Sequence, residues 1–264
     1  MAGSANLNVM MKTARKAGRA LLKDFTEVEQ LQVSTKGPGD FVTRADRNAE
    51  EIIRTELMEA RPTYGFLGEE SKEIEGEDPT RRWIVDPLDG TTNFLHGLGH
   101  WAVSIALEHK GQIVAGVVYD PVKDEMFYAE KGSGAWMNET RIRVSGRHRL
   151  IDGIFATGLP FAGSTDLPQT LRDLGQLLPA TSGVRRLGAA SLDLAYVAAG
   201  RFDGFWERRL KPWDIAAGLV IVREAGALLE PIHEEGNILE DGNLICANES
   251  MFGPFAKVIR GAAA

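Results

Sequence analysis

The chain has one cysteine, no apolar run long enough to cross a membrane, and no surplus of basic charge. Each absence removes a class of function. The lone thiol, Cys246, excludes an internal disulfide, and its place in the run Leu244, Ile245, Cys246, Ala247 marks it as a small buried side chain. No window offers the roughly 20 uncharged apolar residues that a membrane span requires, so no membrane role is expected. Against 30 Lys and Arg stand 37 Asp and Glu, a formal charge of −7, which gives no broad cationic footprint for nucleic acid. No repeat or low-complexity tract appears, and no obvious linker divides the 264 residues. That length allows one large domain or two intimate halves. Lys12, Arg15, Lys16 and Arg19 precede the first acid, Asp24, which superficially matches a transit peptide. Leu7, Met10, Met11, Ala14, Ala17, Leu21 and Leu22, however, recur at three- and four-residue steps, the pattern of an amphipathic first helix. A cytoplasmic protein is expected.

Helical and strand-like periods are interleaved from end to end, which predicts a mixed α and β architecture. A strand-like stretch at 27–34 runs into the breaker Lys36, Gly37, Pro38, Gly39, Asp40, which reads as a loop. Thr43 is placed to cap a helix over 44–60, stopped by Pro62. Short apolar runs at 64–67 and 83–85 flank an acidic, turn-rich surface loop at 71–80, and 101–108, 112–119 and 125–130 read as an antiparallel meander. Strands at 153–157, 202–207, 227–230 and 244–247 and helices at 169–178, 190–199, 213–225 and through Arg260 complete the expectation.

The acidic surplus directs attention to clustered carboxylates. A strand ending in Asp86, a turn at Pro87 and a second acid at Asp89 place two carboxylates at one chain reversal. Hard divalent cations such as Mg²⁺ take oxygen ligands and keep bound water, so these acids and the Leu88 carbonyl are suitable partners. Gly90, Thr91 and Thr92 then resemble a first helical turn, whose free amides favour an anion. Taken alone, Asp-x-x-Asp-Gly also populates ordinary surface turns, Glu69-Glu70 suits a solvated helix start, and Asp214 after Trp213 suits an N-terminal helix position. Asp40 and Asp46 have equally bland readings as a loop residue and a first-turn acid.

The joint pattern is more specific. Gly68-Glu69-Glu70-Ser71, then Trp83-Ile84-Val85-Asp86-Pro87-Leu88-Asp89-Gly90-Thr91-Thr92-Asn93-Phe94, then Leu210-Lys211-Pro212-Trp213-Asp214, resemble in order and spacing the signature blocks of the inositol monophosphatase family. Asp40-Phe41-Val42-Thr43-Arg44-Ala45-Asp46 is similar to its flexible-loop motif. The resemblance implies an α+β fold, a layered αβαβα sandwich over 1–264 in one catalytic unit with two packed halves. It implies two to three Mg²⁺ ions: Glu69, Asp86 and the Leu88 carbonyl on the first, and Asp86, Asp89 and Asp214 on the second. A weaker third would use Glu69, substrate phosphate and water. Thr91, supported by Asp46, would orient the attacking water. The Gly90 and Thr91 amides, beside Asp89, would bind the phosphate, and Lys36, Asp40 and Thr43 would belong to a mobile segment. Inhibition by Li⁺ and a homodimer are implied as well. A charge count agrees: Glu69, Asp86, Asp89 and Asp214 carry −4, which two Mg²⁺ ions neutralise, and a phosphate dianion calls for one more.

By the same resemblance Ala190 and Glu207 would contact inositol hydroxyls, in myo-inositol monophosphate as substrate. Ser191 after Ala190, and Arg208-Arg209 after Glu207, depart from the family pattern and could admit a second anionic group. Relatives act on fructose 1,6-bisphosphate, 3′-phosphoadenosine 5′-phosphate, histidinol phosphate or NADP, so fold and motif fix the reaction better than the substrate. A regulatory binding protein on the same scaffold is the contrasting reading. Every matched metal and water-positioning residue is present, which argues for the enzyme.

Overall fold

A computed structural model describes residues 3–27, 33–37, 40–160, 166–233 and 235–261, with the backbone alone at 33–37 and 40–43. The first helix, α1 (Ala5–Thr26), is capped by Ser4, whose hydroxyl accepts from the Leu7 amide at 3.2 Å. A hairpin follows, β1 (Val33–Gly37) against β2 (Asp40–Thr43), with Gly37 opposite Asp40. Of the loop expected at 36–40, Lys36, Gly37 and Asp40 belong to these strands, while Pro38 and Gly39, residues 28–32 of the expected strand, and the side chains of Lys36, Asp40 and Thr43 lie outside the described residues. Directly after Thr43 comes α2 (Arg44–Ala60).

The chain then runs through β3 (Tyr64–Gly68), β4 (Asp78–Asp89), α3 (Thr91–Leu95), β5 (Ala102–His109), β6 (Gln112–Asp120), β7 (Glu125–Glu130), β8 (Ala135–Met137) and β9 (Thr140–Ile142). These strands form a seven-stranded sheet in chain order, parallel between β3 and β4 and antiparallel thereafter. Its meander is the one the spacing predicts. The strand expected near Trp83 begins earlier, because Asp78 caps its own strand start by accepting from the Thr80 amide (2.9 Å) and hydroxyl (2.6 Å). Beyond Arg149 come β10 (Ile154–Thr157), α4 (Leu167–Leu177), β11 (Gly183–Arg185), α5 (Ala190–Ala198), β12 (Gly204–Glu207), α6 (Pro212–Glu224), β13 (Leu228–Pro231), α7 (Ile238–Asp241), β14 (Leu244–Ala247) and α8 (Glu249–Arg260). The second sheet has five strands in the order β11-β10-β12-β14-β13.

Packing stacks these elements as α1 and α2, the large sheet, α5 and α6, the small sheet, and α4 and α8. This is the expected layered αβαβα sandwich. Strand side chains alternate between faces, and the alternation is visible in the core. On β4, Trp83 and Val85 join the cluster under α1 and α2, while Ile84 joins the one around α5 and α6. On β12, Phe205 faces α5 and α6, while Trp206 faces α8. Because α5 and α6 lie between two sheets, all of α5 and residues 215–222 of α6 are buried. A helix covered on every side carries apolar residues all round. The strand expected at 202–207 is shorter, since Asp203 is drawn off to accept from the Ile154 amide (2.8 Å).

Cys246 on β14 is fully buried, and burial pushes its thiol up to about 12. A thiol that is neither ionised nor accessible does not react. Ellman's reagent at pH 8 is therefore expected to leave the folded protein unmodified and to titrate one thiol per chain in denaturant. Rapid modification of the native protein would contradict this placement.

Candidate active site

The site begins with an irregularity in β4. Asp86 lies opposite Ser104 and Asp89 opposite Ala102, so three steps on β4 match two on β5. The extra residue is a bulge. In a regular strand, residues three apart face opposite ways; here both acids stand across from residues of one β5 face. That face is covered by α6, since Ala102 joins the α5 and α6 cluster and the Ser104 hydroxyl donates to the Trp213 carbonyl at 3.3 Å. Asp214, in the first turn of α6, thereby meets the pair. Glu69 follows β3, which runs parallel to β4, and its amide donates to the Val85 carbonyl at 3.2 Å. Both strands thus deliver an acid at their carboxyl ends.

Each acid is oriented by a donor nearby. Asp86 Oδ1 accepts from the Leu88 amide (2.9 Å), and Asp214 Oδ2 from the Lys211 amide (2.7 Å). Asp89 Oδ2 accepts from the Ser191 amide (2.8 Å) and the Ser191 hydroxyl, at the start of α5. Among the described residues no three His, Cys, Asp or Glu side chains close into a ready ligand cage. The acids are nevertheless coupled. Burial, then the charges of Glu69, Asp89 and Asp214, hold the Asp86 carboxyl well above the usual carboxylate range. Burial also raises Asp214 far above it, with Asp89 and Glu69 adding to the effect against the Lys211 amide. Asp89 is pushed by burial to about 6, against the Ser191 hydroxyl and amide that favour its ionised form. This all-oxygen donor set, short of positive charge, fits a hard divalent cation.

Gly90 has a φ of 95°, a left-handed conformation that a side chain would strain, and it reverses the chain into α3. Thr91 then stands beside the acids. Its single hydroxyl proton is shared between Asp46 Oδ1 and the Leu88 carbonyl, both at 3.1 Å. Asp46, on α2, is 1% exposed. From the facing half come Ala190, at the start of α5, and Glu207, at the end of β12. Burial and the nearby Asp89 push the Glu207 carboxyl up to about 8, while the Arg186 guanidinium and the Gly158 amide oppose the rise. Asn93 ties the halves: its Nδ2 donates to the carbonyls of His100 and Leu187, both at 2.8 Å.

Arg208 and Arg209 stand elsewhere than a second-anion site requires. Arg208 Nη1 donates to the buried Asp173 of α4 at 2.5 Å, and Arg209 pairs with Asp166 at 2.8 Å. Ser191 is fully buried and serves Asp89 rather than an open pocket. Sequence reasoning missed that role, although a hydroxyl in the first turn of an otherwise apolar helix was a signal for it. It also passed over Asp193 on α5, which is 1% exposed and whose Oδ1 has no partner among the described residues.

The sequence model of the inositol monophosphatase family matches residues 4–261. An inositol-1-monophosphatase of Rhizobium meliloti (strain 1021) is 55% identical over 260 residues, covering 98% of both chains. A protein of Escherichia coli (strain K12) named Nus factor SuhB is 43% identical over 242 residues, covering 92% of this chain and 91% of that one. The crystal structure of extragenic suppressor protein suhB from Bartonella henselae superposes with a TM-score of 0.95 at 53% identity, over 98% of this chain and 100% of that one. The family match and the similarity to these relatives both run nearly end to end: the chain belongs to the inositol monophosphatase family and is a phosphatase.

Proposed function

We propose that the enzyme hydrolyses myo-inositol monophosphate to inositol and phosphate by attack of water, with Mg²⁺ as its cofactor. The observation that carries this reading is the meeting of Glu69, Asp86, Asp89 and Asp214 in one poorly hydrated space, where Asp86 is raised by all three of the others. Glu69, Asp86, the Leu88 carbonyl, Asp89 and Asp214 would hold two ions, and a third would arrive with the substrate. Bound Mg²⁺ supplies an acidified water and charge stabilisation for the transferring phosphoryl group. Thr91, its hydroxyl held by Asp46, orients the water, and Glu69 completes the catalytic set. The amides of Gly90 and Thr91, at the start of α3, receive phosphate oxygens beside Asp89. Ala190 leaves room for the ring of the alcohol, and Glu207 accepts from its hydroxyls.

The committed guanidiniums of Arg208 and Arg209 favour a monophosphate over a bisphosphate. Residues 1–264 then act as one catalytic unit whose two halves meet at the acids, since Asp89 of one half is held by α5 of the other. Among the described residues no helix is long and apolar enough to cross a membrane, which agrees with action in the cytoplasm. We assign the protein to a homodimer and place the contact on α4. Leu167 and Leu171 on α4 and Leu178 directly after its end are 51%, 58% and 53% exposed and recur at helical spacing, and such a row is unusual on a monomer. Light scattering behind size exclusion is expected to give twice the chain mass for wild type and the single mass for Leu171→Asp. A monomeric wild type would dismiss the dimer.

Enzyme stripped with EDTA is expected to be inactive, to recover with Mg²⁺, and to be inhibited by Li⁺. Asp89→Asn should keep the side-chain volume while losing a ligand charge, so metal affinity and kcat should fall together. The loss should be at least about a hundredfold if the cation carries transition-state charge. Wild-type kinetics for Asp89→Asn at limiting Mg²⁺ would leave Asp89 as a turn residue only.

Glu207 separates recognition of the alcohol from phosphate chemistry. Above about pH 8, where Glu207 is ionised, removing a charged acceptor from a hydroxyl costs about 1.5–3 kcal/mol, or roughly ten- to more than a hundredfold in kcat/KM. Glu207→Ala is expected to show that loss on inositol 1-phosphate and almost none on p-nitrophenyl phosphate. Equal losses on the two esters would assign Glu207 to the scaffold.

A further inference from the structure

Glu50 lies one helical turn beyond Asp46 on α2, so the two acids share a face. It is 3% exposed, and among the described residues no Lys or Arg pairs with it. Its Oε2 accepts from the Glu70 amide at 2.8 Å. It also presses on the glycine before Glu69 so closely that a Cβ on Gly68 would fall 2.4 Å from Oε2. The peptide on the other side of Glu69 is held as well, by the Val85 carbonyl. A buried carboxylate without a cation is an expensive way to fill space; an apolar residue would fill it at lower cost.

We propose that Glu50 is a positioning residue: it clamps the Gly68–Glu70 turn and so sets where Glu69 stands relative to Thr91. The helix α2 acts as a ruler. Ala45, Ala49, Ile53 and Leu57 are fully buried in the cluster with α1 and fix its place. One face then reaches both parts of the site, Asp46 to the Thr91 hydroxyl and Glu50 to the turn that carries Glu69. Glu50 touches neither water nor substrate in this arrangement; it acts through the backbone it holds. The inference rests on the reading of Glu69 as a metal ligand. Partners that orient metal ligands typically change affinity by about 10–100-fold when removed.

The test uses full-length Glu50→Ala, Glu50→Gln and Gly68→Ala. Three quantities are measured: hydrogen exchange at the Glu70 amide without metal, Mg²⁺ affinity by calorimetry, and global stability in urea. For Glu50→Ala we expect exchange at Glu70 to accelerate at least about tenfold beyond any change in β5 and β6. Mg²⁺ should bind about 10–100-fold more weakly. Glu50→Gln keeps an acceptor oxygen and should stay within about threefold of wild type in affinity. Should Glu50→Ala not fold, Gly68→Ala, which displaces the same carboxylate from the opposite side, is expected to give both shifts. Unchanged Glu70 exchange or unchanged affinity in folded Glu50→Ala or Gly68→Ala would overturn the proposal, as would equal losses in Glu50→Gln and Glu50→Ala, which would make charge the cause. If wild type itself binds no Mg²⁺, the metal reading fails, and exchange at Glu70 alone decides whether Glu50 holds the turn.

Discussion

The bond between Asp89 and the start of α5 is the contact on which the architecture of the site depends. Asp89 ends a strand of the large sheet, and Ser191 opens a helix that packs between the two sheets. Its carboxylate is partly dehydrated and close to other acids, so it needs donors to remain ionised. The free amides of a helix N-terminus supply them without adding a basic residue to the pocket. A lysine or arginine in that place would neutralise the very charge that a cation requires. One interaction therefore joins the halves, orients an acid and leaves the pocket electron-rich.

Stacking helps to explain why that joint is rigid. Two sheets enclose α5 and α6, so neither helix has a solvent face on which to slide. Asp214 is carried by the first turn of α6 and Ala190 by that of α5, so both site residues are positioned by helices whose packing surrounds them. The outer helices are different. On the other side of the large sheet, α2 buries only one stripe, yet its acids Asp46 and Glu50 lie inside that stripe and take their positions from it.

Much of this was legible in the sequence, because the strongest signals were period and punctuation. The meander followed from strand-length apolar runs separated by Gly111 and Pro121, whereas the turn expected at Pro87 is a bulge inside β4, which runs on to Asp89 before Gly90 reverses the chain. What stayed hidden were properties created by tertiary contact. Three-residue strands such as β8, β9 and β11 are too short to show a period. Arg208 and Arg209 looked available for an anion because nothing local reveals Asp173 and Asp166, some 35 to 43 positions earlier in the chain. Ser191 looked like a departure in the substrate pocket because its partner, Asp89, is 102 residues away. Asp193 was invisible for the converse reason: an acid in an Ala-rich helix reads as solvent-facing until a second sheet is laid over it.

The bulge in β4 makes chain length itself a determinant of the site. Facing direction in a strand has parity, and Asp86 and Asp89 share a direction only because one surplus residue restores it. A substitution at Pro87 or Leu88 alters size or polarity locally, whereas loss of either position would leave the acids two apart in a regular strand, still on one face, but without the bulged backbone whose Leu88 amide holds Asp86 and whose Leu88 carbonyl receives Thr91. A dropped codon in this short segment would thus keep both acids and their side of the sheet while removing the main-chain atoms that serve them, so the spacing between the two acids is inherited as an integer rather than as a composition.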